Sequence, residues 1–277
     1  MSREIVIQKV LGFGIVAAAI LYFTPMQLVV CFSVLGQGHF IGAYLYQWKA
    51  GKIKAKWVML FAGLGLLLFI PAYLTERVEW FALGAGVLFF IHHFQDEVTL
   101  WGKERSKYRF LEQLPPMVLF STLAADRLLG TSFTKPATIA LLLPLFAYIY
   151  TVAKRKYKPD ALSAYLFVIS AGLAAISWSG LPIASEVVLS SVILLHYVCW
   201  YVYFYFRFAN NSERLWTYIA DMAIVHIVIF AAFALFLYTE LGNAIFVYLF
   251  GTIYFYIWTI LHILSSIRRK DYRALIS

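Results

Sequence analysis

The chain has 277 residues, of which 62% are hydrophobic, 18% aromatic and only 13% charged, with a formal net charge of +9. A mean hydropathy of +0.78 lies far from that of soluble globular domains and excludes a soluble enzyme. A nucleic-acid footprint is excluded too, because the basic residues form short clusters between apolar runs instead of lining one polar face.

The expected fold is all-α: a polytopic transmembrane helix bundle of about ten spans, forming a single domain over residues 1–277. Arg3 and Lys9 precede an apolar run ending near Phe23 that has the look of a signal peptide. No small-x-small cleavage site follows it, so we expect a retained first span. Between Lys9 and Lys49 there is no charged residue. That is too long for one helix across a hydrocarbon core of about 30 Å and suits a hairpin of two, turning at Thr24-Pro25. Further spans are expected at residues 57–74, 78–98, 113–130, 136–153, 161–180, 185–207, 215–239 and 242–267. The segment 113–130 is interrupted by Pro115, Pro116, Asp126 and Arg127. Cys31 and Cys199 fall in apolar runs, where a free thiol acts as a small hydrophobe, and no disulfide framework is indicated.

Loop charge sets the orientation, since Lys and Arg concentrate on the cytoplasmic side. One side collects Arg3 and Lys9; Lys49, Lys52, Lys54 and Lys56; Lys103, Arg105, Lys107 and Arg109; Lys154, Arg155, Lys156 and Lys158; Arg207 and Arg214; and Arg268, Arg269, Lys270 and Arg273. The other side keeps only Arg77, Arg127 and Lys135 of the 23 basic residues. Both termini are therefore expected in the cytoplasm, of a prokaryotic cytoplasmic membrane. Asp126 and Arg127 read as an ion pair or interfacial charges, and Glu186 as an acid at a helix start. The aromatic run 201–208 and Trp48, Trp57, Trp80, Trp101 and Trp216 read as interfacial belts.

Ionisable side chains are costly in hydrocarbon, which makes IHHFQDEVTLW at 91–101 the stretch that most needs a function. Its i,i+4 spacing puts His92 on one helix face with Asp96 and His93 on another with Glu97. Counted to the nearest cytoplasmic basic residue, His39, His92, His93, His196 and His226 share one level, roughly 15 to 18 Å deep at helical rise. Asp96, Glu97, Asp221 and His262 form a second level at roughly 9 to 10 Å. The expected metal ligands are His39, His92, His93, His196, His226 and Asp96, with Glu97, Asp221 and His262 as further ligands or supporting groups. For His226 and His262 a hydrogen-bonded structural histidine is an equal alternative. Tyr44 and Gln47 continue the His39 span toward the cytoplasm and are candidates to line a substrate entrance. Mixed imidazole and carboxylate ligands suit iron or manganese, whereas a small tetrahedral set would suit zinc.

Phe40 after His39, the segment IHHFQDE, LLHYVCW around His196 and TILHIL around His262 follow one another in an order and spacing that resembles the Brp/Blh family of membrane carotenoid-cleaving dioxygenases. Two positions depart from that family's pattern: Ala43 and Tyr44 stand where an Asp follows its first His, and Trp200 stands at i+4 from His196 where it has a second His. The resemblance implies a non-haem iron enzyme with dioxygen as co-substrate and a lipophilic, carotenoid-like or isoprenoid substrate entering from membrane lipid; it does not identify a redox partner. The residues alone also admit a zinc-dependent intramembrane lipid hydrolase, a haem-binding electron carrier, or a metal- or proton-coupled transporter.

Overall fold

A computed structural model describes residues 3–49, 51, 63, 67, 70, 74, 78–103, 107–179, 185–239 and 257–263. All regular structure among the described residues is α-helical: α1 (Arg3–Tyr22), α2 (Pro25–Lys49), α3 (Val78–Leu100), α4 (Lys107–Leu129), α5 (Thr134–Ala140), α6 (Leu142–Ala153), α7 (Ala161–Ser179), α8 (Ser185–Phe208) and α9 (Ser212–Tyr238). Residues 257–263 are helical as well. Most of the expected spans at 57–74 and 242–267 lies outside the described residues.

Helix ends follow from local sequence. At Thr24-Pro25 the Thr24 hydroxyl accepts from Gln27 N–H at 3.3 Å, and Gln27 Oε1 accepts from Thr24 N–H at 2.8 Å. This is a reciprocal capping box with Pro at the first helical position, which turns the α1–α2 hairpin where the sequence expects it. Asn211 caps α9 by accepting from Arg214 N–H at 3.0 Å. Helix α3 stops at Gly102, whose φ of 61° permits the Lys103 N–H to reach the Val98 carbonyl at 2.9 Å. Pro115 and Pro116 lie inside α4, which starts at Lys107, earlier than expected, and carries on through both.

Four helical stretches among the described residues are long and apolar enough to cross a bilayer: Arg3–Tyr22, Thr134–Ala153, Ala161–Ser179 and Ser212–Leu235. Leu143, Phe146 and Ile149 on α6 and Phe167 and Val168 on α7 are exposed, as suits contact with lipid and not water. Helix α3 has 23 residues, long enough to span, but His92, His93, Gln95, Asp96 and Glu97 lower its hydropathy.

The chain divides into two compact units. The first holds Gly86–Ser185. Here α4 packs against α5, α6 and α7, and α5 against α6 and α7. An ion network ties them. Arg109 reaches Glu112 at 2.5 Å and engages Asp160 with both terminal nitrogens, at 3.2 and 3.0 Å. Tyr148 and Tyr157 donate to Glu112 at 2.9 and 3.0 Å, and Lys103 reaches Asp160 at 2.9 Å. Burial pushes the Asp160 carboxyl up, but the hydrogen bonds from Arg109, Lys103 and the Ser163 backbone outweigh it and hold it well below the usual carboxylate range. Asp126, expected as half of an ion pair or as an interfacial charge, accepts from the Thr131 and Thr134 hydroxyls and from Phe133 N–H and Thr134 N–H. It thereby satisfies donors at the start of α5 that the helix cannot pair internally.

The second unit holds Ser2–Ala85 and Glu186–Ser265. In it α2 packs against α1 and α9. Close approach of α9 depends on two glycines of α2: a Cβ on Gly38 would lie 2.6 Å from His226 Nε2, and one on Gly42 2.9 Å from Met222 Cε. Gln8 of α1 donates to the Cys199 carbonyl at 2.7 Å, and Lys9 Nζ lies 3.6 Å from Cys199 Sγ. Lys9 is therefore buried against α8, whereas loop counting treats it as a free flanking charge.

Candidate metal-binding residues

In the first unit the i,i+4 reading of α3 holds for His92 and Asp96. His92 Nε2 lies 3.2 Å from Asp96 Oδ2, and both side chains are buried. Two donor atoms each about 2.1 Å from one ion, and roughly 90 to 110° apart around it, stand about 3.0 to 3.4 Å from each other. The pair thus has the separation of two ligands to a common metal. The second face of α3 is built differently: Glu97 Oε2 accepts from Trp101 Nε1–H at 3.1 Å. His93 stacks on Phe89, with ring centroids 6.1 Å apart, and meets Phe94 edge-on at 4.7 Å. Trp101 is consequently a buried partner of Glu97 and not a belt residue. Gln113 of α4 donates to the Phe94 carbonyl at 2.6 Å, which fixes the backbone between His93 and Asp96.

In the second unit α2, α8 and residues 257–263 bring imidazoles together. His39 lies edge-on to His196 with ring centroids 5.4 Å apart, and edge-on to His262 at 4.9 Å. With metal–nitrogen bonds of about 2.1 Å, ring centroids of two imidazoles on one ion stand roughly 4.5 to 5.2 Å apart at 90 to 110°. Each pair is close to that spacing. Tyr197, fully buried, stacks on His39 at 4.9 Å, and Phe40 and Tyr197 form the core against which Tyr44, Tyr201 and Trp258 pack. His196 is buried and, like His92 and Asp96 of the first unit, offers a ligand atom compatible with metal binding.

Several expectations change here. His262, placed two turns shallower than His39 by counting to Arg268, is in ring contact with it; residue counting assumes an untilted, unbroken helix, and Arg268 lies outside the described residues. His226 has both nitrogens engaged, Nδ1 by the Met222 carbonyl at 2.7 Å and Nε2 by the Tyr201 hydroxyl at 3.2 Å. Asp221 accepts from Tyr46 at 3.0 Å and from the half-exposed Lys49 at 2.6 Å, as an acid paired near a helix end. Tyr44 lies 6.2 Å from the His262 ring, in the wall of the cluster. Gln47 is partly buried.

Two residues escaped the sequence reading. Sequence patterning assigns Tyr197 to an apolar span and Tyr201 to an aromatic belt; their i,i+4 spacing is the signal that puts the two on one face of α8, where both meet the His39 ring. Trp48, Trp80 and Trp216 are exposed, as belt residues should be, while Trp57 and the side chains of Arg127 and Glu186 lie outside what is described.

No protein-family profile, curated protein or solved structure matches the chain.

Proposed function

We propose that this chain is an integral membrane metalloenzyme holding one or two non-haem iron ions and oxidising or oxygenating a lipophilic substrate with dioxygen. Ten spans, with both termini in the cytoplasm, agree best with the one-sided distribution of basic residues. The observation that carries the reading is the gathering of buried imidazoles, His39 with His196 and His262, inside an apolar unit. Imidazole is the commonest metal ligand among side chains. Within the other unit, His92 and Asp96 by themselves offer an imidazole and a carboxylate, a donor mixture that suits iron. His93, stacked on Phe89, and Glu97, which accepts from Trp101, remain further candidate ligands on the second face of α3.

Bound iron would supply activation of dioxygen. The chain's own part is to exclude water and hold the substrate: Phe40, Tyr197, Tyr44 and Trp258 wall the imidazoles with ring surface fit for an isoprenoid or polyene chain. The resemblance to the carotenoid-cleaving dioxygenases supports that substrate class.

Elemental analysis of the purified protein tests the reading. About one to two iron ions per chain are expected. His92→Ala and His196→Ala should each lose iron while keeping their helical circular dichroism. Absence of transition metal, or unchanged iron in both variants, would refute it. Zinc without iron would redirect the assignment to a hydrolase, and a Soret band to a haem carrier.

A further inference from the structure

His226 is held in one tautomer. The Met222 carbonyl can only accept, so the 2.7 Å contact requires the proton on Nδ1. Nε2 is then an acceptor, and the Tyr201 hydroxyl at 3.2 Å must donate to it. Gly38, next to His39 in sequence, is what admits the imidazole, since a Cβ there would stand 2.6 Å from Nε2. Tyr201 also meets the His39 ring edge-on at 6.4 Å, so the order in space is His226, Tyr201, His39. A half-buried phenol in apolar surroundings gains from a hydrogen-bond partner, and any carbonyl would do. This one has a base able to take its proton.

We propose that Tyr201 is a redox-active tyrosine that gives one electron to the metal site through His39 and its phenolic proton to His226. The inference rests on the iron reading above. Tyr201 loses an electron and its O–H bond breaks, leaving a neutral phenoxyl radical. A new N–H bond forms at His226 Nε2, and the resulting imidazolium keeps donating from Nδ1 to Met222. Iron held at His39 and oxidised by dioxygen would be the one-electron oxidant that takes this electron. Moving proton and electron together avoids a bare radical cation in an apolar interior, where an uncompensated charge is costly.

The test uses iron-loaded full-length protein in lipid nanodiscs, reduced without oxygen, mixed with dioxygen and freeze-quenched for electron paramagnetic resonance. A tyrosyl signal that narrows with ring-deuterated tyrosine is expected. Tyr201→Phe should abolish it at unchanged iron content, and His226→Phe should slow its formation on the order of 100-fold. A signal that persists in Tyr201→Phe, or no signal in wild-type protein that holds iron, overturns the proposal. Protein that binds no iron defeats the metal reading and the electron transfer with it. Nitrogen-15 NMR of metal-free protein checks the proton-accepting half separately. An Nδ1–H tautomer whose Nε2 resonance moves in Tyr201→Phe is expected; an Nε2–H tautomer, or an Nε2 resonance that Tyr201→Phe leaves in place, overturns it.

Discussion

Gly38 and Gly42 lie one turn apart on the face of α2 that meets α9, and replacing each with Ala separates a rigid neighbour from a yielding one. The added methyl on Gly38 would meet three ring atoms of His226, at 2.6, 2.9 and 3.2 Å, and that ring is pinned through Nδ1 to its own backbone. The added methyl on Gly42 would meet only Cε and Sδ of Met222, at 2.9 and 3.0 Å, the far end of a flexible side chain. Overpacking against a fixed group costs about 1 to 3 kcal/mol, and loss of the Tyr201–His226 hydrogen bond about 1 kcal/mol. Against both stands a gain of up to about 1 kcal/mol from replacing a helical glycine. Gly38→Ala should therefore destabilise by about 1 to 3 kcal/mol, and Gly42→Ala should lie within about 1 kcal/mol of wild type. Reversible unfolding in mixed micelles, read by circular dichroism, measures both. Equal effects of the two substitutions, or a larger loss for Gly42→Ala, would refute the close approach of α9 at His226.

Arg109→Ala should cost about 3 to 5 kcal/mol, because it leaves Glu112 charged and buried. Arg109→Lys should recover little of this, since one ammonium cannot reproduce the two-nitrogen grip on Asp160; unfolding of the two variants side by side checks the point. Asp126→Ala should destabilise by about 1 to 3 kcal/mol through the unsatisfied donors at the start of α5, and amide exchange at Phe133 and Thr134 should accelerate. Asp160 has a folded pKa below its unfolded value, so its ionised form stabilises the fold above pH about 4, and that contribution fades as pH falls through the depressed folded value. Asp160→Asn should flatten the acid side of the melting-temperature profile, with a smaller difference from wild type in high salt; a parallel profile at all pH values would contradict the network.

The legible part of the molecule was whatever depends on neighbours along the chain. Composition decided that the chain is helical, and apolar runs between charge clusters placed α3, α7, α8 and α9 within a few residues of where they lie. Thr24-Pro25 announced its turn because a proline interrupts the apolar run there, and the structure adds the capping box between Thr24 and Gln27. The i,i+4 rule put His92 over Asp96, since helical periodicity alone brings them together.

What the tertiary structure decided concerns residues distant in sequence. No spacing rule could say that Tyr201 reaches His226, that Lys9 is buried against Cys199, or that Arg109 joins Glu112 to Asp160, because each depends on which helix packs against which. Depth counting failed for His262 for the same reason, as it ignores how helices tilt and end. The sequence by itself determined a helical chain with costly imidazoles and carboxylates in its apolar segments, through hydrophobicity and period. Only packing decided which of those imidazoles meet, because small residues such as Gly38 let particular helix faces come close.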